Sequence, residues 1–213
     1  MHRSRILIAD DHNLVAELCK KLLESEFEVV GTVSNGRDLV RAASELRPDV
    51  IVVDVAMPVL NGLDAAVRVK EMLPTVRTIF LTMNNDPMVA AEALRRGASG
   101  YLLKTCAPAE MVTAVRTALR GQTYLSPTLS KDTVGFLRRQ RERLEEEGER
   151  LTERQREVLQ LLAEGRAMKE IGGILNMTTR TVAFHKYRIM EALDAKNNAD
   201  LVKYAVRNHL IAA

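Results

Sequence analysis

Val50, Ile51, Val52 and Val53 are four consecutive β-branched residues followed at once by Asp54, and this stretch constrains the fold more than any other. An unbroken apolar run, without the alternation of a half-solvated strand, predicts a strand buried on both faces, as in a parallel sheet covered by helices. Asp54 stands at its C-terminal tip. The chain then turns through Pro58 and Asn61-Gly62 into a helical pattern, which puts the acid in the crevice where open α/β sheets bind ligands.

The neighbouring sequence repeats that logic. Short apolar runs at 6–9, 29–33, 50–53, 78–81 and 100–103 alternate with helical patterns at about 13–24, 36–46, 62–73, 87–96 and 108–121. The order βαβαβαβαβα predicts an α/β domain, a doubly wound (βα)5 parallel sheet with helices on both faces. Ser126-Pro127 closes it. A run dense in Arg and Glu follows, broken at Gly148, and reads as a solvated, partly helical linker through charge pairs three and four apart.

From Leu151 onward the pattern is helical throughout. Thr152 with Gln155 forms a capping box that opens a helix stopped by Gly165. A short helix at about 167–175, a turn at Asn176-Met177-Thr178, a longer helix at about 179–193 and a last one at about 198–209 give a small all-α four-helix domain. Two helices joined by so short a turn, the second opened by a threonine cap, outline a helix-turn-helix. The expected domains are therefore 4–122, a linker over 123–148, and 149–213.

Composition narrows the function. No apolar run approaches the length of a membrane span, and the short run at 6–9 is too brief for a signal-peptide core, so no membrane partner and a cytoplasmic location are expected. Two cysteines, Cys19 and Cys106, lie outside any clustered ligand pattern and read as small apolar fillers. Residues 1–125 carry 15 Lys and Arg against 15 Asp and Glu, while residues 126–213 carry 16 against 13, so the net charge of +3 is wholly C-terminal. A basic C-terminal half permits nucleic-acid binding.

The acids carry chemistry as a set. Asp10-Asp11 end the first strand as Asp54 ends the third, and in a doubly wound sheet those strands are neighbours, so three carboxylates converge. Without a cation they would repel one another and raise their pKa values. An oxygen-only donor set with few protein ligands suits Mg2+, which keeps several waters and bridges to phosphate. Thr82 ends the fourth strand with a hydroxyl, and Lys104 ends the fifth with a fixed positive charge. Carboxylate, Mg2+, hydroxyl and ammonium together suit phosphoryl transfer to an aspartate. Taken singly, each residue has a blander role as a loop cap or a solvated charge; four such groups at four strand ends do not.

With Asp10-Asp11, Asp54 in Asp-x-x-Met-Pro-x-x-x-Gly, Thr82 and Tyr101-Leu102-Leu103-Lys104 in order, residues 4–122 resemble a response-regulator receiver domain of two-component signalling. That resemblance implies phosphorylation of Asp54 by a sensor histidine kinase. It implies Mg2+ held by Asp11, Asp54 and the backbone carbonyl of Ala56, with Asp10 acting through water. It further implies that Lys104 pairs with the phosphoryl oxygens, that Thr82 moves toward them and that Tyr101 turns inward. Two departures stand out. Met83 follows Thr82 where a small residue is usual, and is expected to crowd the pocket and slow phosphorylation and hydrolysis. Thr105 follows Lys104, so no Lys-Pro bond is present.

The segment from Leu151 to Gly165, continued by Lys169-Glu170-Ile171, Thr181-Val182, His185, Ile189, Leu193 and Leu201-Val202, is similar to the LuxR-type helix-turn-helix domain. Together the halves resemble the NarL/FixJ class of response regulators. In the longer helix Val182, Ile189 and Leu193 are spaced to face a core, which leaves Arg180, Ala183, Phe184, Lys186, Tyr187 and Arg188 nearer a DNA groove or backbone. Lys169, Thr178 and Thr179 join them at the turn. The resemblance makes Ala183, Phe184 and Tyr187 the base-reading positions, while core packing competes as a role for the two aromatics; His185 reads as a structural hydrogen-bonding residue.

The expected function is a phosphorylation-controlled transcription regulator, not an enzyme, that binds double-stranded DNA in the major groove. Phosphorylation is expected to release the recognition helix from the receiver or to permit a homodimer, which by resemblance forms through the last helix with Val202 and Val206. An aspartyl-phosphate phosphohydrolase is disfavoured, because such enzymes carry an Asp-x-Asp pair after the first strand. A vestigial receiver finds no support in so complete an acidic set.

Overall fold

The computed structural model describes residues 3–83, 85–106, 108–127, 129 and 151–211. The first domain runs β1 (Arg5–Ala9), α1 (Asn13–Leu23), β2 (Glu28–Val33), α2 (Gly36–Leu46), β3 (Val50–Asp54), α3 (Gly62–Met72), β4 (Arg77–Thr82), α4 (Pro87–Arg95), β5 (Gly100–Leu103), α5 (Pro108–Leu119) and β6 (Tyr124–Leu125). The second comprises α6 (Glu153–Ala163), α7 (Met168–Leu175), α8 (Thr179–Ala192) and α9 (Asn198–Arg207). Most of the charged segment expected as a linker lies outside the described residues.

The strands are parallel and ordered β2-β1-β3-β4-β5-β6. Ala9 pairs with Val53, which brings the two acid-bearing strand ends side by side. The sheet has six strands where five were expected: Tyr124 and Leu125 pair with Gly100 and Tyr101 of β5 inside the stretch read as linker. A two-residue strand is too short to show periodicity.

Strand side chains alternate between faces, and the β3 run uses both. Ile51 and Val53 pack with Leu39, Ala43, Ala65, Val69 and Val89 of α2, α3 and α4. Val50 and Val52 pack with Cys19, Leu23, Met111, Ala114 and Val115 of α1 and α5. A strand covered on both sides has no polar face, so β3 is apolar at every position until Asp54. A separate core of Val158, Leu159, Ile171, Val182, Ile189 and Leu201 holds the second domain together.

Side-chain caps set where the helices begin. Asn35, Asn61, Asp86, Thr152, Thr178 and Asn197 each accept a hydrogen bond from a backbone N–H in the first turn of α2, α3, α4, α6, α8 and α9. The capping box of Thr152 and Gln155 is formed as expected. Gly62 is forced at the start of α3, because a Cβ there would lie 1.9 Å from the carbonyl oxygen of Asp54. The Gly62 N–H donates to Val55 O at 2.9 Å and closes the intervening loop against the end of β3. No helix among the described residues is long and apolar enough to cross a membrane.

Candidate functional sites: an acidic pocket and an exposed helix

Asp10 and Asp54 are 3% and 4% exposed, side by side beyond β1 and β3. The Lys104 ammonium, delivered by the end of β5, lies 2.8 Å from an oxygen of each. Its placement is local as well as tertiary, since the Lys104 N–H donates to Thr82 O at 2.7 Å and ties the ends of β4 and β5 together. Burial pushes the Asp54 carboxyl above its usual range, and the hydrogen bond and charge of Lys104 oppose that rise. Burial pulls Lys104 down, but its bonds to Asp10 and Asp54 outweigh it and leave the ammonium held above its ordinary value. A buried carboxylate that keeps a fixed cation beside it in a cleft marks a candidate functional site.

One member of the pocket had only its adjacency to Asp10-Asp11 to signal it. His12 Nδ1 lies 2.9 Å from Asp11, 3.2 Å from Asp10 and 4.0 Å from Asp54. The ligand atoms of Asp10, Asp11, His12 and Asp54 all fall within 4.8 Å of one another. Three carboxylates at that spacing, with Asp11 open to solvent, fit a hard divalent cation that keeps part of its water shell. The Ala56 N–H donates to Asp54 Oδ1 at 3.3 Å, so the residue whose carbonyl was expected to ligate is held against the acid.

Thr82 is 2% exposed, and Tyr101 is fully buried with its ring 6.5 Å from that of Phe80. Burial raises the Tyr101 hydroxyl well above its usual value, opposed by a hydrogen bond with the Thr82 side chain. The inward position expected to follow phosphorylation is therefore already taken up. Met83, expected to crowd the pocket, is 70% exposed just beyond the end of β4 at Thr82.

In the second domain Val182 and Ile189 are fully buried, as their spacing predicted. Thr178 caps α8 by accepting from Thr181 N at 3.1 Å. Lys169, Thr178, Thr179 and Arg180 are exposed around the turn, while Ala183 and Lys186 are half-buried. Phe184 and Tyr187 are 58% and 71% exposed, which removes core packing as their role. Arg188 lies 5.6 Å from the Phe184 ring centroid and pairs with Glu191 at 3.0 Å, so its guanidinium is held on the same face. This helix is not held against the receiver by its reading face, contrary to the expected release of a masked recognition helix. What meets the receiver is α6 and the end of α9.

A receiver sheet with two buried acids and a third open to solvent, joined to a helix-turn-helix with an exposed reading face, defines a signal-responsive DNA-binding protein. The response regulator receiver domain family matches residues 6–116, and the luxR family of bacterial regulatory proteins matches residues 149–205. The chain is 36% identical over 209 residues to the transcriptional regulatory protein LiaR of Bacillus subtilis, covering 97% of this chain and 99% of LiaR. It is 33% identical over 214 residues to the oxygen regulatory protein NreC of Staphylococcus carnosus, covering 97% and 99%. The RcsB response regulator of Salmonella typhimurium superposes with a TM-score of 0.57 at 28% identity, covering 97% of this chain and all of that one. The chain belongs to the two-component response regulators that join a receiver domain to a LuxR-type DNA-binding domain, a family of transcription regulators.

Proposed function

We propose that Asp54 is the phosphoacceptor of this response regulator and that the domain expected at 4–122, extended through β6 at Tyr124–Leu125, receives a signal which residues 149–213 deliver to DNA. The observation that carries this reading is the Lys104 ammonium held 2.8 Å from both Asp10 and Asp54 at the buried end of the sheet. An Asp54 carboxylate oxygen attacks phosphorus, the new P–O bond forms as the bond to the donor nitrogen breaks, and the electron pair leaves on the histidine of a sensor kinase. Lys104 keeps Asp54 ionised before transfer and meets the phosphoryl oxygens after it. Asp11, Asp54 and the Ala56 carbonyl would hold Mg2+, with Asp10 acting through water, and the ion would supply charge neutralisation during the transfer. Thr82, already bonded with Tyr101, relays the new charge toward α4 and β5.

On the DNA side, Lys169, Thr178, Thr179, Arg180, Lys186 and Arg188 hold the phosphate backbone and register α8 in the major groove. Ala183, Phe184 and Tyr187 face the base edges, the first two suited to thymine methyl groups. A homodimer through Val202 and Val206 of α9 places two α8 helices on half-sites about one helical turn apart. RcsB, similar over nearly the whole chain, has been solved with DNA and as two dimers on two parallel DNAs. The protein acts in the cytoplasm as a regulator rather than a turnover enzyme.

The test treats wild type and Asp54→Ala with acetyl phosphate and Mg2+, and follows intact mass and affinity at fixed salt for a DNA fragment selected from a random pool. Gain of one phosphoryl group by wild type alone, with tighter DNA binding, is expected. Equal modification of both proteins removes Asp54 from its role, and modification without a change in DNA affinity removes phosphate as the signal.

A further inference from the structure

We propose that Gln160 and Glu164 of α6 form a latch that docks the DNA-binding domain onto the backbone of loop 55–61, so that one short segment sets both the Asp54 pocket and the domain docking. Gln160 is 0% exposed, although nothing in its own helix-turn-helix core requires an amide. Its partners lie largely in the receiver. Nε2 donates to Met57 O at 3.0 Å, and Oε1 accepts from Asn61 N at 2.9 Å and from Asn61 Nδ2 at 3.3 Å. Glu164 Oε1 accepts from Val59 N at 3.0 Å and from Gln160 Nε2 at 2.9 Å. A buried amide satisfied across a domain boundary specifies one docked arrangement, because any shifted packing leaves its N–H or C=O buried without a partner.

The same loop is tied to Asp54 at its other end. The Ala56 N–H donates to Asp54 Oδ1, Gly62 N–H closes back on Val55 O, and the missing Cβ of Gly62 lets the loop lie directly on the Asp54 carbonyl. Only Ala56 and Met57 separate Val55 from the rigid Pro58. Val59, a β-branched residue, sits at φ 70°, a left-handed conformation it adopts only under tertiary constraint. A segment this short and this constrained has discrete arrangements rather than continuous give, so a rearrangement at Asp54 and Ala56 shifts the carbonyl and N–H groups that Gln160 reads.

The latch is also poised to open. Glu164 Oε2 is buried with no hydrogen-bond partner among the described residues, a cost the docked state carries. Beside the latch, buried Glu157 pairs with Arg68 of α3 and at 3.5 Å with Arg37 of α2. Farther out the contact loosens: Tyr204 and Arg207 face Met88 and Glu92 of α4 across a cavity of about 270 Å³, and His209 reaches Asp86 at 3.4 Å. Opening therefore frees α9 and the α4 surface of the receiver, not the recognition helix, which is exposed already.

The part of the inference that couples latch to phosphate rests on Asp54 being the phosphoacceptor. The test is amide hydrogen exchange at Val59 and Asn61, read by NMR on the full chain for wild type, Gln160→Ala, Gln160→Leu and Arg68→Ala, with and without Mg2+ and beryllofluoride. Protection at both amides in wild type is expected to fall at least tenfold in Gln160→Ala and Gln160→Leu, and to fall likewise in wild type loaded with beryllofluoride. By reciprocity the Gln160 variants bind beryllofluoride about fivefold or more tightly than wild type. Arg68→Ala, which leaves the amide contacts in place, is expected to lose less protection. Unchanged protection in folded Gln160 variants overturns the latch. Retained protection in wild type that carries beryllofluoride overturns the coupling. Failure of acetyl phosphate to modify wild type at all overturns the Asp54 reading instead, and the coupling with it, while the Gln160 variants still decide the docking.

Discussion

The pairing of Lys104 with two buried acids sets the character of the pocket residue by residue. Asp10 and Asp54, at 3% and 4% exposure, share one ammonium that lies 2.8 Å from each. Lys104→Ala leaves two buried carboxylates facing each other, and removing one partner of a buried pair costs about 3 kcal/mol at neutral pH. The loss depends on pH with a definite sign. Burial raises the folded pKa of Asp54, and a carboxyl so raised costs stability above that pKa and recovers it as the pH falls through it, so Lys104→Ala is less destabilised at pH 5 than at pH 8. Urea unfolding at the two pH values checks this, and added Mg2+ should restore part of the lost midpoint. A deficit independent of both pH and Mg2+ would mean that Lys104 contributes through packing alone.

At the scale of elements, the helix-turn-helix turn rests on one close approach. A Cβ at Gly172 would lie 2.7 Å from the carbonyl oxygen of Met177, whereas nothing lies within 4 Å of one at Gly173. Adjacent glycines in α7 are therefore expected to respond with opposite signs. Gly172→Ala pushes the α7–α8 turn apart and destabilises by about 1–3 kcal/mol. Gly173→Ala removes a helix-interior glycine and stabilises by about 0.5–1 kcal/mol. Thermal unfolding of the two variants checks the pair. Equal shifts would show that helix propensity, not the Met177 carbonyl, governs this turn.

Across the whole molecule a chain of charges crosses the domain boundary. Glu92 of α4 pairs with Arg96, Arg96 with Asp64 at 2.6 Å, and Arg156 of α6 with the same Asp64 at 3.4 Å. Burial raises the Glu92 carboxyl, but Arg95 and Arg96 prevail and hold it down to about 2, from an ordinary value of 4.5. A depressed folded pKa stabilises above the unfolded value and loses that contribution as the pH falls toward the folded one. The stability advantage of wild type over Glu92→Gln is thus present at pH 7 and decays between about pH 4.5 and 2. Chemical unfolding across that range checks it, and a constant difference would remove the charge from the account.

By itself the sequence determined which elements form and which side chains end the strands. The β3 run, the caps at Asn61, Thr152 and Thr178, and the acids of β1 and β3 are local in origin, since strand burial and capping depend on residues a few positions apart. Their convergence was legible too, because a doubly wound sheet allows only one place for the ends of β1 and β3. Tertiary structure alone decided the rest. Tyr124 and Leu125 become a strand only because β5 offers an open edge. His12 joins the acids through the turn that follows β1. Gln160 is buried by contact with a loop about a hundred residues away, a distance over which periodicity carries no signal. Phe184 and Tyr187 were equally suited to core or groove until the packing of α6, α7 and α9 fixed which side of α8 is covered.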